Sequence, residues 1–381
     1  MKLCRALFNR MSAHARCFGL AVGLSASVGA VWADPTQVEQ QVKSAGNAQK
    51  DSDFGFRSGS FVATPIPFSN PTIGSGLVLG LGYLFNIDRG SKPSVIGIAG
   101  LRSDNGTMGY GGSINLYSHD NRWQLETLFA EADIRYDLFT TIGTLPIRQE
   151  GYLGRVSLSY GVTPDLSFGG SMRYLKTDVS LDAPDLPSIP APFNDFLNTE
   201  ILSLGVVADW DTRDDTLYPT SGNHLQFEAS RGIFLGGILP DYSRAFLNFS
   251  HYVAVGKNGV LAAMASTCAA SSDTPFFDQC ALGGTDSFRG FSFTQYLDDR
   301  SASVQVEYRQ TLTPRFGGVV FGGAGLVGPT YGQLAEGGTH GAVGIGLRYR
   351  VSKKFPVDLS VDVTRNTIDE NQLYIYVGQR F

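Results

Sequence analysis

From Phe56 onward, hydrophobic and polar residues alternate one by one in runs of about ten, each bounded by turn chemistry. A period of two is the period of a strand, whose successive side chains point to opposite faces. Ile73 to Phe85 is the clearest case. Leu77, Leu79, Leu81, Tyr83 and Phe85 share one face, and Gly80 and Gly82 lie opposite. Val304, Val306 and Tyr308 alternate with Ser303, Gln305, Glu307 and Arg309, and Val343, Ile345, Leu347 and Tyr349 alternate with Gly344, Gly346, Arg348 and Arg350. A soluble sandwich also alternates, but it would not set arginines and glycines behind an aliphatic face so regularly. In a membrane barrel the outward face meets lipid and the inward face meets water, so charge behind an aliphatic row costs little.

The pattern predicts an all-β chain: one transmembrane antiparallel β-barrel of about sixteen strands, an even number, as single-chain bacterial barrels have. The expected spans are 56–67, 73–86, 93–103, 106–117, 122–137, 150–162, 165–177 and 199–211, then 222–234, 242–256, 259–270, 299–312, 315–327, 339–350, 355–366 and 371–381. Tight connections such as Asp120-Asn121, Thr163-Pro164-Asp165 and Thr313-Pro314 alternate with long ones at 138–149, 178–198, 271–298 and 328–338. With both termini periplasmic, short turns fall inside and long loops outside. Pro65 and Pro67 each lack a ladder donor. Two readings stay open: they weaken the seam between the first and last strands, or they start a short first loop at 67–71.

Composition adds an address. Residues 1–33 carry Lys2, Arg5, Arg10 and Arg16, then an apolar stretch ending in Val31-Trp32-Ala33, which reads as a secretory signal. The apolar run falls short of the ~20 residues a spanning helix needs. Residues 34–55 are polar and glutamine-rich and read as a short flexible periplasmic tail; the barrel takes 56–381. The whole chain has 30 basic and 35 acidic residues, and removing the four basic residues of the signal leaves 26 against 35, a net charge of −9. Nucleic acid as a partner is excluded for want of a basic footprint. Cys268 and Cys280 remain as one pair in an oxidising compartment, where a disulfide is the natural reading beside that of two separate thiols.

Three motifs converge. The long loop 271–298 carries Arg289-Gly290-Phe291. The turn after the eighth strand reads Asp209-Trp210-Asp211-Thr212-Arg213, followed by Tyr218-Pro219. The thirteenth strand carries Phe321-Gly322-Gly323-Ala324-Gly325. In this order the set resembles the BamA/TamA superfamily of outer-membrane barrels, also called the bacterial surface-antigen family, over roughly residues 56–381. The resemblance implies that the long loop folds into the lumen and that Arg289 locks it there on an acidic wall residue. Glu307 is the best partner, mid-strand on the lumen-facing register, because an arginine–carboxylate contact is directional and bidentate. Gly290 would permit a tight turn or close approach, and Phe291 would pack beside it. Where the family commonly has an aspartate in the Phe321-to-Gly325 motif, this chain has Gly323. Either Glu307 then carries the contact alone or the loop is held less firmly.

Asp209, Asp211 and Arg213 alternate toward the lumen at the periplasmic mouth, either as a charged network shaping the entrance or as groups that only fix the turn. Phe381 ends an amphipathic strand and looks like the address read by the outer-membrane assembly machinery, although Gln379 breaks the alternation. Family members that insert or secrete proteins carry POTRA domains, for which residues 34–55 are too few, so the chain resembles the reduced branch that keeps only the barrel. Its expected partners are outer-membrane lipids, the assembly machinery during biogenesis, and a periplasmic or membrane subunit in place of the missing domains. The functions weighed are outer-membrane protein or lipid assembly or translocation, then a passive channel, with a membrane-embedded lipase last. Ser250 and His251 are adjacent on one strand and point to opposite faces, so they form no dyad. No other catalytic constellation, metal spacing or cofactor motif is read from the sequence.

Overall fold

The computed structural model describes residues 60–380, apart from 89, 141–142, 184–196, 217, 237–238, 284–287 and 352–357. The expectations for the signal segment 1–33, the tail 34–55 and Phe381 lie outside these residues. The strands are β1 (Ser60–Asn70), β2 (Gly74–Phe85), β3 (Ser94–Ser103), β4 (Met108–Ser118), β5 (Trp123–Thr140) and β6 (Gly143–Gly161). They continue with β7 (Leu166–Leu181), β8 (Asn198–Asp211), β9 (Gly222–Phe234), β10 (Tyr242–Val255), β11 (Gly259–Ala270) and the two-residue β12 (Cys280–Ala281) and β13 (Leu297–Asp298). The last are β14 (Arg300–Thr311), β15 (Phe316–Gly328), β16 (His340–Arg350), β17 (Asp358–Asn366) and β18 (Asn371–Val377). All but β12 and β13 close one antiparallel barrel of sixteen strands, and those two form a small hairpin inside the long loop between β11 and β14.

The burial pattern is inside out. Leu79, Ile98, Val304 and Ile345 are each more than half exposed, whereas Gln305, Glu307 and Arg309 on the opposite face are almost fully buried. A water-soluble protein would reverse this, so the apolar rows face lipid and the polar rows face the lumen. At the end with the short turns, Phe61–Tyr83, Trp123–Tyr160 and Phe316–Tyr349 pair with ring centroids 4.9, 5.1 and 5.2 Å apart. These pairs lie where an aromatic girdle meets the bilayer interface.

Three sequence expectations need correction. The loop expected at 138–149 is strand instead: β5 runs to Thr140 and β6 starts at Gly143, with Arg148 opposite Arg135. The reason is packing, because Ile147, Leu138 and Leu145 join a cluster with Phe277 from the infolded loop. The expected 178–198 loop is likewise shortened by β7, which reaches Leu181. Pro65 and Pro67 do not start a loop; β1 continues through both to Asn70, opposite Leu79 and Leu77 of β2.

The lipid-facing reading predicts that Ile345→Arg, in the middle of β16, costs about 2–4 kcal/mol as a cation near the bilayer midplane. Reversible urea unfolding from phospholipid vesicles measures it, and an unchanged midpoint would contradict the assigned face.

Candidate functional site: a buried arginine in the lumen

The loop between β11 and β14 folds into the barrel and carries a fully buried arginine with it. The Arg289 side chain is 0 % exposed. Its Nη2 donates to Glu307 Oε2 at 2.6 Å, its Nη1 to Asp362 Oδ2 at 2.6 Å, and its Nε to Gln305 Oε1 at 3.0 Å. The guanidinium carbon lies 3.5 Å from the centroid of the Phe321 ring, a desolvated cation–π contact. Glu307 also accepts from Arg309 Nε at 2.7 Å. Asp362 accepts from Arg348 Nη1, and from the Tyr376 hydroxyl at 2.7 Å. Two carboxylates are thus shared among three guanidiniums.

Asp362 resolves the question left by Gly323. The second carboxylate comes from β17, two strands away from β15, on a lumen-facing row (Asp358, Ser360, Asp362, Thr364) that the alternation of 355–366 displays. Gly323 instead lets β14 and the loop come close, since a Cβ there would lie 2.3 Å from the Val304 carbonyl oxygen of β14 and 3.0 Å from the Phe288 ring of the loop. A Cβ at Gly325 would collide with Leu282. Phe321, Gly323 and Gly325 therefore receive Arg289, Phe288 and Leu282 in succession along one strand face. Gly290 adopts φ +139°, which disfavours a side chain, and a Cβ there would meet Ala342. Its N–H donates to the Tyr374 hydroxyl at 2.8 Å and its carbonyl accepts from Asn366 Nδ2 at 2.9 Å. Phe291 is buried, edge-on to Tyr296 at 5.1 Å.

A second anchor, which no sequence motif marks, lies on the other wall. Asp278, in a 3₁₀ turn of the loop, pairs with Arg173 of β7 and accepts from the Tyr242 hydroxyl of β10. Burial alone would raise the Asp278 carboxyl, but the Arg173 guanidinium outweighs it and holds the group at about 2. A disulfide joins Cys280 of the loop to Cys268 of β11.

The charged turn sits at the opposite mouth. Arg213 makes two 2.8 Å hydrogen bonds to Asp211, and Asp209 lies 2.9 Å from His224 Nε2. Asp209, Asp211 and His224 bring three donor atoms together, a grouping the sequence pattern does not show because His224 lies on β9. Arg213 already neutralises Asp211, which disfavours a cation there. The two sites touch through Arg309, whose Nη1 donates to the Pro219 carbonyl at 3.4 Å.

Comparison with known proteins agrees with this architecture. The profile of the Omp85 superfamily domain matches residues 104–381. BamA from Haemophilus ducreyi lacking POTRA domains 1–3 superposes with a TM-score of 0.58 at 16 % identity, covering 84 % of this chain and 70 % of that one. CdiB from Acinetobacter baumannii gives 0.56 at 14 %, covering 84 % of this chain and 59 % of its own length, and CdiB from Escherichia coli gives 0.58 at 13 %, covering 82 % and 62 %. This chain therefore spans about six-tenths of either CdiB. No curated protein matches the sequence.

Removing one member of a buried charge pair costs about 3–5 kcal/mol, because the remaining charge is left uncompensated. Arg289→Ala should therefore lower the temperature at which the folded band is lost in a heat-modifiability gel, and Asp362→Asn should do so as strongly as Glu307→Gln. Gly323→Asp, which adds a carboxylate but displaces Phe288, is expected to lower it too. The Asp278 anchor has a folded pKa below the ordinary 3.8. Its contribution is full above that value and is lost as pH falls from 3.8 toward about 2. In a pH series of the same gel, Asp278→Asn should narrow its gap to wild type only below pH ~4.

Proposed function

Because this chain belongs to the Omp85 superfamily and is an integral outer-membrane β-barrel, we propose that it inserts or translocates outer-membrane polypeptides through the seam between β1 and β18. Residues 288–296 act as the catch on that seam. The observation that carries this reading is the seam itself. Among the described residues β1 and β18 share one register pair, Ser69 with Ile375, whereas β17 and β18 pair over seven. Pro65 and Pro67 are two residues apart, so both missing donors fall on the same edge of β1. Ser75 of β2 turns its N–H and carbonyl to Asp104 on the β3 side, so Gly76 and Val78 face β1, their partners Phe68 and Ile66 face β2, and Pro65 and Pro67 face the β18 edge.

The loop grips both banks. On the β1 side, Phe293 N donates to Thr72 Oγ at 3.0 Å, and the Ser292 and Thr72 hydroxyls lie 3.3 Å apart. On the β18 side, Gly290 holds Tyr374 and Asn366, and Gln295 Nε2 donates to Glu370 at 3.1 Å. Releasing Arg289 would free the catch and leave a seam with almost no ladder to break. A periplasmic or membrane partner would deliver the client. The loop lies across the lumen between two anchored walls, which favours this reading over a passive channel.

The test is a seam lock. Ser69→Cys with Ile375→Cys, oxidised, should reduce insertion of a radiolabelled barrel client into liposomes at least tenfold, with recovery on reduction. Val363→Cys with Leu373→Cys, across the β17–β18 ladder, should leave insertion unchanged. Full activity of the locked seam would sink the reading.

A further inference from the structure

The outer wall carries a feature that the seam does not use. On the lipid-facing side of β8 to β14 lies an open groove of about 740 Å³. Its floor is a run of small side chains at one register level, where Ala229 of β9 pairs with Ala245 of β10, which pairs with Ala269 of β11. The row is closed on one flank by Val206, which pairs with Ala229, and on the other by Arg300, which pairs with Ala269. These residues point out of the barrel: Val206 is 56 % exposed, while Ala270, next to Ala269 and on the other face, is 3 % exposed. Three alanines side by side leave a shallow trough, and Thr267, Ala265 and Ala263 continue the small outward face along β11 between Leu247 and Phe249 of β10 and Val304 of β14.

Two cations frame the trough at a definite height. Arg231, one rung above the alanines, is three residues below the end of β9, and Arg300 is the first residue of β14. Both therefore stand at the end of the barrel that carries the long connections, at the level of the outer-leaflet headgroups. Arg231 is held by an exposed pair with Asp241 at 3.1 Å, the kind of contact worth about 0–1 kcal/mol and open to exchange. Arg300 Nη1 donates to the Asp299 carbonyl at 2.8 Å and to that of Ala270, which fixes its direction. Tyr331 from the β15–β16 connection folds onto the wall beside it, its hydroxyl 3.0 Å from Thr267 Oγ1 and its ring 5.7 Å from the Arg300 guanidinium. An aromatic hydroxyl, two guanidiniums and an apolar trough below them match a lipid with anionic headgroup oxygens and several acyl chains.

We infer that this groove binds one phosphorylated, multiply acylated lipid of the outer leaflet, its phosphates on Arg231 and Arg300 and one acyl chain over Ala229, Ala245 and Ala269. The site is on the opposite flank from the seam, so it would fix the barrel's orientation in the leaflet without blocking that passage.

The test is native mass spectrometry of the full chain in detergent, titrated with bis-phosphorylated lipid A, with its dephosphorylated form and with diacyl phosphatidylcholine. Wild type should retain one bis-phosphorylated lipid A, at least tenfold more strongly than either other probe. Arg231→Gln with Arg300→Gln, and separately Ala245→Leu to fill the trough, should each reduce retention at least tenfold. Both variants change lipid-facing residues only, and a folded band in the heat-modifiability gel confirms that they assemble. Equal retention of the phosphorylated and dephosphorylated probes, or retention like wild type by either variant, would overturn the inference.

Discussion

A guanidinium shut away from water must be matched by carboxylates or it will not stay buried, and Arg289 obeys that constraint with help from three separate strands. Glu307 comes from β14, Asp362 from β17 and the aromatic face of Phe321 from β15. An isolated buried charge costs several kcal/mol, so these partners have to be present together. Three guanidiniums around two carboxylates leave an excess of positive charge, which Tyr376 and Gln305 soften by hydrogen bonds. The geometry suits arginine alone. Lysine has neither the planar fork that reaches two carboxylates nor the flat face that lies on Phe321.

The loop is held at both ends of its path across the lumen. Asp278 ties it to β7 and β10, the disulfide ties it to β11, and Arg289 ties it to β14 and β17. Between these points, apolar side chains seat into hollows left by glycines, Phe288 over Gly323 and Leu282 over Gly325. The polar column continues through Arg309 to the Pro219 carbonyl, in the connection that follows the charged turn.

Much of the fold is legible in the sequence because a membrane barrel repeats one rule, lipid-facing apolar residues alternating with lumen-facing polar ones, on every strand. Even so, the tip of the β5–β6 hairpin reads as a loop, since what extends it is contact with Phe277, distant in sequence. At the site, Arg289 and Glu307 stand out by motif and register. Asp362 does not, although it sits on a lumen-facing register, because the motif points for a second carboxylate to the position that Gly323 occupies. Asp278 lies in a loop without periodicity, and nothing local marks it as the partner of Arg173, 105 residues away. His224 and Asp209 are brought together by the pairing of β8 with β9, which spacing along the chain does not reveal.

The partners of Arg289 are spread along the chain in a way that orders events in time. Glu307 follows it by 18 residues, whereas Asp362 follows by 73 and the Gly290 backbone meets Tyr374 84 residues later. A chain that has not yet received its last two strands can offer the arginine only one of its two acids and none of the groups that hold Gly290. The charge would then favour water, and the loop would stay outside an unfinished wall. Burial of the arginine among all of its partners is thus complete only once the final two strands are in place.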